Sequence, residues 1–363
     1  MNERVNPPEI ALSLPGGGLA GALYQVGALA ALEDGIDGLR EHGVSLYLGQ
    51  AGGSVVAACL AGGIPTDRIY RALLDPADNF FPLERRHILE VDTAEWQRTL
   101  RTAAVAVRQA VARVNPWKGG AIDERFVALL FEQIDRLSDS LPAGLFTLSR
   151  FERFLADFFA RRDVPNVFSA MQRQLRIVAH DLDSGERVLF GSESFEGIPV
   201  SLACAASCAL PLFFSPVRIG SRHYIDGGLC ELAHLDVARR AGAEITIVVN
   251  SRVPVTTRGA AVPTGHGPQR SVRDKGLTWV MNQAKRIGSQ AMLEHEVKHP
   301  PEGMRVLVLE PAATDGALFM TNVAAFDARR AILEYAYRTT RERVVEWLGH
   351  NADMAERLGW KAR

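Results

Sequence analysis

Two glycine clusters near the start of the chain, and one aspartate well beyond them, are the residues whose types and spacing could do chemistry. The first cluster, Gly16-Gly17-Gly18-Leu19-Ala20-Gly21, follows a short apolar run and opens a helical pattern. It matches GxGxxG, the dinucleotide fingerprint, in the strand-to-helix context that fingerprint needs. It also suits an oxyanion hole, where glycine amides at a helix N-terminus approach a developing negative charge without side-chain obstruction. A tight turn needing φ > 0 is its plainest use. The dinucleotide reading wants an acid at the end of the next strand to hold the ribose, and that strand ends at Leu48-Gly49 with none. No Lys-Ser/Thr pair follows, so the cluster is not a Walker loop either.

The second cluster, Gly49-Gln50-Ala51-Gly52-Gly53, lies between a β-rich run and an apolar helix. It is G-x-S-x-G with alanine in the serine place. In a nucleophile elbow, flanking glycines permit a sharp, strained turn that presents the central side chain above the sheet. The next amide, here that of Gly52, helps to hold an oxyanion. An unrelated glycine turn is the competing reading. Ser54 is the nearest hydroxyl, but as a nucleophile it would lack a second glycine and would sit inside the helix. The third element is Asp226, in Tyr224-Ile225-Asp226-Gly227-Gly228, which can project from a strand end into a crevice. Taken alone, Asp-Gly is also a plain hairpin turn. None of the nine histidines sits in a triad context; His180 and His223 lie beside strands and read as structural or surface residues.

These residues need a frame, and the first 63 residues read as strand, turn, helix, strand, turn, helix. Ile10–Leu14 is a short apolar run, Ala22–Leu32 has helical spacing, Val44–Leu48 is β-rich and Ser54–Leu60 is an apolar helix. Such alternation implies an α/β fold with parallel strands and right-handed crossovers. Ligand sites in such sheets lie at the carboxyl ends of strands, where both glycine clusters fall. Further strand patterns occupy Leu175–Ala179, Arg187–Phe190, His223–Ile225, Ile245–Asn250 and Met304–Leu309. Residues 1–8 read as a tail, 64–165 as a helical insertion capping the sheet, and 252–275 as a mobile loop. A helix from Gly276 to Lys298 and another from Ala325 to Trp347 follow, with 336–363 as a C-terminal helix and tail.

Within the insertion, Asp92 and Glu95 make a capping-box-like helix start. Trp96, Leu100, Ala103, Ala104, Val107, Val111 and Val114 share one face, with Arg98, Arg101, Arg108 and Arg113 on the other. That pattern suits a surface helix packed on the core or a helix lying in a lipid interface.

The bulk composition narrows the classes. With 41 basic and 42 acidic residues in 363, the chain offers no electrostatic case for nucleic acid. Cys59, Cys204, Cys208 and Cys230 lack CxxC or metal spacing; Cys204 and Cys208, in a small-residue run, read as buried thiols, and the compartment as reducing. The apolar stretch Ile10–Leu32 is broken by Pro15-Gly16-Gly17-Gly18, whereas a membrane span needs ~20 unbroken residues. The expectation is a soluble, cytoplasmic protein, with peripheral contact at a membrane or lipid surface as a further option.

In their order along the chain, the three motifs resemble the patatin-like phospholipase family. Softer features extend the resemblance: Pro142-Ala143-Gly144-Leu145-Phe146, Ile177-Val178-Ala179-His180-Asp181-Leu182, Ser207-Cys208-Ala209-Leu210-Pro211 and Ser215-Pro216-Val217. It spans roughly residues 9–335. The resemblance implies a three-layer α/β sandwich with a mainly parallel central sheet and an inserted helical cap. It implies hydrolysis of acyl esters of phospholipids and other lipids through an acyl-enzyme, with no metal, cofactor or histidine. Position 51 would be the nucleophile, Asp226 the proton acceptor of a Ser–Asp dyad, and Gly16, Gly17, Gly18 and Gly52 the oxyanion hole.

The chain departs from that family in two places. Ala20 stands where the oxyanion loop usually carries Arg or Lys, and Ala51 stands where the elbow carries serine. Without the hydroxyl the covalent route is closed; loss of the nucleophile in a serine protease costs ~10⁶ in kcat. The expectation is a lipid acyl hydrolase, inactive as written, and the alternative is a natural pseudoenzyme that binds lipid or a partner. An elbow residue at φ > 0 costs a non-glycine side chain ~1 kcal/mol or more. A lineage released from catalysis would gain by drifting to glycine, so the intact surroundings point to a deliberate or recent Ser→Ala change.

Overall fold

The alternation of apolar runs with glycine-led helices produces an eight-stranded mixed sheet with helices on both faces. The computed structural model describes residues 9–39, 43–75, 77–91, 93, 95–101, 104–105, 141–228, 233–256, 271–315 and 328–363. Strand β1 (Ile10–Leu14) leads through α1 (Gly18–Gly35) to β2 (Leu46–Gln50), then α2 (Gly52–Ala61) and α3 (Thr66–Leu74). Helix α4 (Ser149–Arg161) precedes β3 (Gln174–Asp181), β4 (Arg187–Phe190), α5 (Val200–Ser207), β5 (Val217–Ile219) and β6 (Arg222–Asp226). Then come α6 (Leu235–Arg240), β7 (Ile245–Val249), α7 (Leu277–Lys298), β8 (Arg305–Leu309), α8 (Arg329–His350) and α9 (Ala352–Leu358).

The sheet order is β8-β7-β1-β2-β3-β6-β5, with β4 paired on β3. Strands β8, β7, β1, β2 and β3 run parallel, and β4, β5 and β6 run antiparallel to their neighbours. Side chains alternate between the two faces, as the pleat requires. Ile10, Leu12 and Leu14 of β1, with Ile247 and Val249 of β7, join the larger core with α1, α2, α5 and α8. Ala11, Leu46, Leu48 and Val248 face the opposite way, towards α6 and α7. Burial on both faces is why these strands read as unbroken apolar runs. Helix α8 runs across position 335 and packs along α1, with Leu333 and Ala336 seated on Gly27.

The helices at 18–35, 52–61, 277–298 and 329–350 and the longer strands fall within a few residues of the sequence patterns, whereas the short helices at 200–207 and 235–240 have no counterpart among those patterns. The short strands at 36–37, 90–91, 144–147, 212–214 and 217–219 carry no pattern long enough to read. Three of these, Glu90–Val91, Gly144–Thr147 and Leu212–Phe214, form a small separate sheet. In the insertion, residues 95–101 are helical, but the apolar stripe sits one position off. Thr99 is buried and Leu100 is exposed, and the Trp96 indole N–H donates to the Leu145 carbonyl at 3.2 Å. Asp92, residues 106–140, Cys230 and residues 257–270 lie outside the described residues, and with them most of that helix and of the 252–275 loop.

Candidate active site

Strand β3 organises the site. Along one edge it pairs with β4 through Ile177–His180. The other edge must therefore carry both remaining partners, β2 over 174–178 and β6 over 179–181. Gln50, the last residue of β2, lies opposite Val178, and Asp226, the last of β6, lies opposite Ala179. Two strands distant in sequence thus meet end to end on consecutive residues of β3. Ala51 and Asp226 emerge at that junction, and both line one cavity.

At the end of β2 the chain turns sharply. Ala51 has φ 45° and ψ −126°, a conformation that non-glycine residues hold only under constraint. Constraint is present on both sides. Ser207, at the end of α5, accepts the Ala51 N–H at 2.8 Å and donates its own hydroxyl to the Val178 carbonyl at 2.5 Å. Ser54 donates its amide (2.9 Å) and its hydroxyl (2.6 Å) to the Ala51 carbonyl. Ser54 is therefore a buried brace inside the helix, as its position in the motif implied. Next to Ala51 in sequence, the Gln50 side-chain amide meets Nε2 of the buried His234, and Arg187 lies 3.2 Å from Nδ1 of the same ring.

The glycines bring two helix ends together. A β-carbon at Gly52 would stand 2.3 Å from the Gly18 carbonyl oxygen, so only glycine permits this approach. Gly17 has φ 148°, and a β-carbon there would strike the Ser251 hydroxyl at 2.4 Å. Gly16 lies directly beside Ala51, since its β-carbon would fall 3.0 Å from that of Ala51. Helices α1 and α2 begin here with no side-chain cap and no acid in the first turn. Their first amides stand outside the helical ladder, and both N-termini carry partial positive charge. Gly18 and Gly52 border the cavity with Ala51. The site residues read from the sequence are thus brought together.

Asp226 is buried, and its Oδ1 accepts the Gly228 amide at 2.7 Å. His180 touches its backbone carbonyl (3.1 Å) rather than its carboxylate. Burial pushes the Asp226 pKa above the ordinary carboxylate value, opposed first by the Arg252 guanidinium and then by the Gly228 amide. Arg252 follows β7 and is a site residue that sequence reasoning missed, because nothing local marks it. Its guanidinium donates to the Gly228 carbonyl and lies 3.8 Å from where a Gly16 β-carbon would stand. One cation therefore lies beside Gly16 and bonds the turn that follows Asp226, while Ala20 of the glycine loop carries none. Arg286 of α7 donates to the carbonyls of Ser251 (3.2 Å) and Val253 (3.0 Å) and so holds the segment bearing Arg252. Burial lowers the Arg286 pKa to about 10.

The cavity has a volume of about 150 Å³, and its wall is apolar apart from this corner. Leu23, Val26, Val55 and Val56 come from α1 and α2, and Phe80, Phe81, Phe151 and Phe158 from the 64–165 segment. Phe81 and Phe80 stand edge-on to Phe158, with centroids 4.8 and 5.8 Å away. Asp226 is the one charged residue among the described wall residues. Cys59 and Cys204 are free, buried thiols, and burial raises the Cys204 pKa to about 12. Among the described residues no cluster of His, Cys, Asp and Glu could hold a metal ion. No helix there is long and apolar enough to cross a membrane.

The fold and the site define an α/β protein with a strand–elbow–helix turn opening on an apolar cavity. A family model described as patatin-like phospholipase matches residues 12–238, and the chain belongs to that family. Among curated proteins, the uncharacterized protein YqhO of Bacillus subtilis is 26% identical over 119 residues. That match covers 30% of this chain and 40% of that protein, less than two thirds of its length. Among solved structures, VipD from Legionella pneumophila is similar at 14% identity and a TM-score of 0.38, covering 94% of this chain and 67% of that one. Full-length ExoU in complex with SpcU, from the type III secretion system of Pseudomonas aeruginosa, is similar at 14% identity and a TM-score of 0.32. It covers 93% of this chain and 53% of that one.

Proposed function

We propose that the chain is a lipid acyl-ester hydrolase in architecture, with its nucleophile position occupied by Ala51 and its turnover therefore stopped. The observation that carries this reading is the setting of Ala51, at φ 45° between two uncapped helix N-termini in one cavity with Asp226. A hydroxyl on the residue 51 β-carbon would attack an ester carbonyl while Asp226 took its proton. The amides of Gly17, Gly18 and Gly52 would hold the tetrahedral oxyanion. Collapse would expel the alcohol and leave an acyl-enzyme, which water would then hydrolyse with Asp226 as base. A carboxylate with a raised pKa is a stronger base for that task. The apolar wall would take the acyl chain, with the 64–165 segment acting as its cap.

Ala51 itself favours a second reading, a pseudoenzyme that binds lipid or a partner without turnover. One experiment separates the two. The Ala51→Ser chain is expected to hydrolyse short-chain aryl esters, and adding Asp226→Asn is expected to abolish that activity. A folded Ala51→Ser chain that binds a fatty-acyl ligand but never turns over would sink the hydrolase reading and leave the binding protein.

A further inference from the structure

We propose that an arginine-lined groove on α4, behind the aromatic wall of the acyl cavity, seats the phosphate-bearing headgroups of an anionic bilayer. The groove has a volume of about 550 Å³ and shares Phe80 and Phe158 with the acyl cavity. Five arginines line it: Arg86, Arg150, Arg153, Arg161 and Arg162.

The charges do not balance. Glu84 and Asp157 lie in the groove, and Glu90 reaches Arg150 at 2.9 Å and Arg153 at 4.0 Å. Counting also the Arg68–Asp78 pair beside Phe80, in which Asp78 acts on Arg162 as well, six guanidinium groups face four carboxylates, an excess of two positive charges on a chain whose net charge is −1. The pairs that exist are open to solvent: Arg150, Arg153 and Arg161 are 54%, 67% and 71% exposed. Exposed ion pairs contribute little to stability and exchange readily for a stronger partner. A phosphate offers guanidinium groups that partner in bidentate geometry.

The local fold explains why the arginines gather. Helix α4 buries Phe151, Leu155, Phe158 and Phe159, so Arg150, Arg153 and Arg161 are left on its outer side. Arg162 lies over the ring of Phe80, 4.4 Å from its centroid, and Phe154 stacks on His87 at 4.7 Å. Arginines with half-buried rings between them are the mixture that suits a headgroup interface. The Glu90–Arg150 pair ties the groove to the small sheet, whose three strands expose Val91 (52%), Leu145 (39%) and Leu212 (55%). Cationic side chains beside exposed apolar ones, on a face adjoining an acyl cavity, match an anionic lipid surface rather than a free anion.

This inference extends the lipid reading of the site but is tested without catalysis, on the chain as it stands. Cosedimentation is measured with phosphatidylcholine vesicles and with equimolar phosphatidylcholine–phosphatidylserine vesicles. Partitioning is expected to be at least tenfold greater on the anionic vesicles and to weaken as salt rises. Arg150→Gln with Arg153→Gln is expected to lower it about tenfold, taking a modest contribution from each basic residue near the surface, with an unchanged melting temperature. Arg305→Gln with Arg357→Gln, removing two arginines that pair with Asp353 and Glu244 elsewhere on the surface, is expected to leave it intact. Equal binding to both vesicles would overturn the proposal, as would equal losses from the two double variants or displacement by millimolar inorganic phosphate. Ester hydrolysis by the Ala51→Ser chain is read separately, so failure of one reading does not pass for failure of the other.

Discussion

The two parts of the cavity wall are built by different means. At the Ala51–Asp226 corner the wall is main chain: two helix starts, a strand end and a turn, held by hydrogen bonds from Ser54, Ser207 and Arg252. Across from it the wall is side chain, a set of phenylalanines contributed by the 64–165 segment. A corner made of close backbone approaches has no slack, and substitutions there act through discrete contacts. A wall of packed rings is graded, since rings can shift to fill part of a space. The corner therefore suits one chemistry, and the wall can be altered to change what the cavity admits.

Substitutions at the two parts should break or sharpen this contrast, and the largest effect belongs to the corner. In the Ala51→Ser chain, Asp226→Asn is expected to lower kcat about 10⁶-fold, by analogy with loss of the base histidine in a serine protease. In the same chain, kcat/KM should rise with pH as Asp226 deprotonates, with a midpoint above the ordinary value of about 4. Arg252→Gln removes the cation that opposes this shift and should move the midpoint higher. A midpoint at or below 4 would contradict the burial argument.

Next comes the ring wall. Phe158→Ala should cost about 3–5 kcal/mol in denaturant unfolding while leaving Ala51→Ser turnover of short esters measurable. Loss of all activity in a folded protein would erase the distinction between the two parts. A smaller loss is expected for Ser207→Ala, about 1–3 kcal/mol, because it leaves the Ala51 amide and the Val178 carbonyl without their partner. Smallest is Ala51→Gly, which should stabilise the chain by about 1 kcal/mol by removing a β-carbon at positive φ. A drop in melting temperature would show that Ala51 is not strained.

Asp226 also links function to stability. A carboxyl whose folded pKa is raised is held preferentially protonated by the fold. The folded state therefore loses stability as pH rises from the unfolded value through the folded one. Asp226→Asn in the Ala51 chain should accordingly melt higher than its parent, with the gap opening above about pH 4. An unchanged gap from acid to neutral pH would show that burial imposes no such cost.

Much of the corner was legible in the residues alone. The glycine clusters announce turns that no side chain could make, and Gly52 and Gly17 occupy places where a β-carbon would collide. The elbow order of strand, turn and helix follows from local hydrophobic period, and the rejection of Ser54 from its missing second glycine and its place inside the helix. Within the stripe read over Trp96–Val114, Leu100 is exposed and Thr99 is buried, because a helical wheel ranks side chains by type and does not know which face the neighbouring elements cover. The two- to four-residue strands of the small sheet were too short to carry a period.

What the sequence determined by itself is the inventory: an elbow-like turn with alanine at residue 51, a glycine loop opening a helix, and a distant aspartate before two glycines. These are local properties, set by which backbone angles and spacings each residue allows. Only the tertiary structure decided their meeting. It takes β3, paired with β4 on one edge and with β2 and β6 end to end on the other, to place Ala51 beside Asp226. It takes the exit of β7 to bring Arg252 between the loop and the aspartate turn. Strand pairing across long stretches of chain is a choice among registers that local sequence does not rank; burial of both sheet faces does.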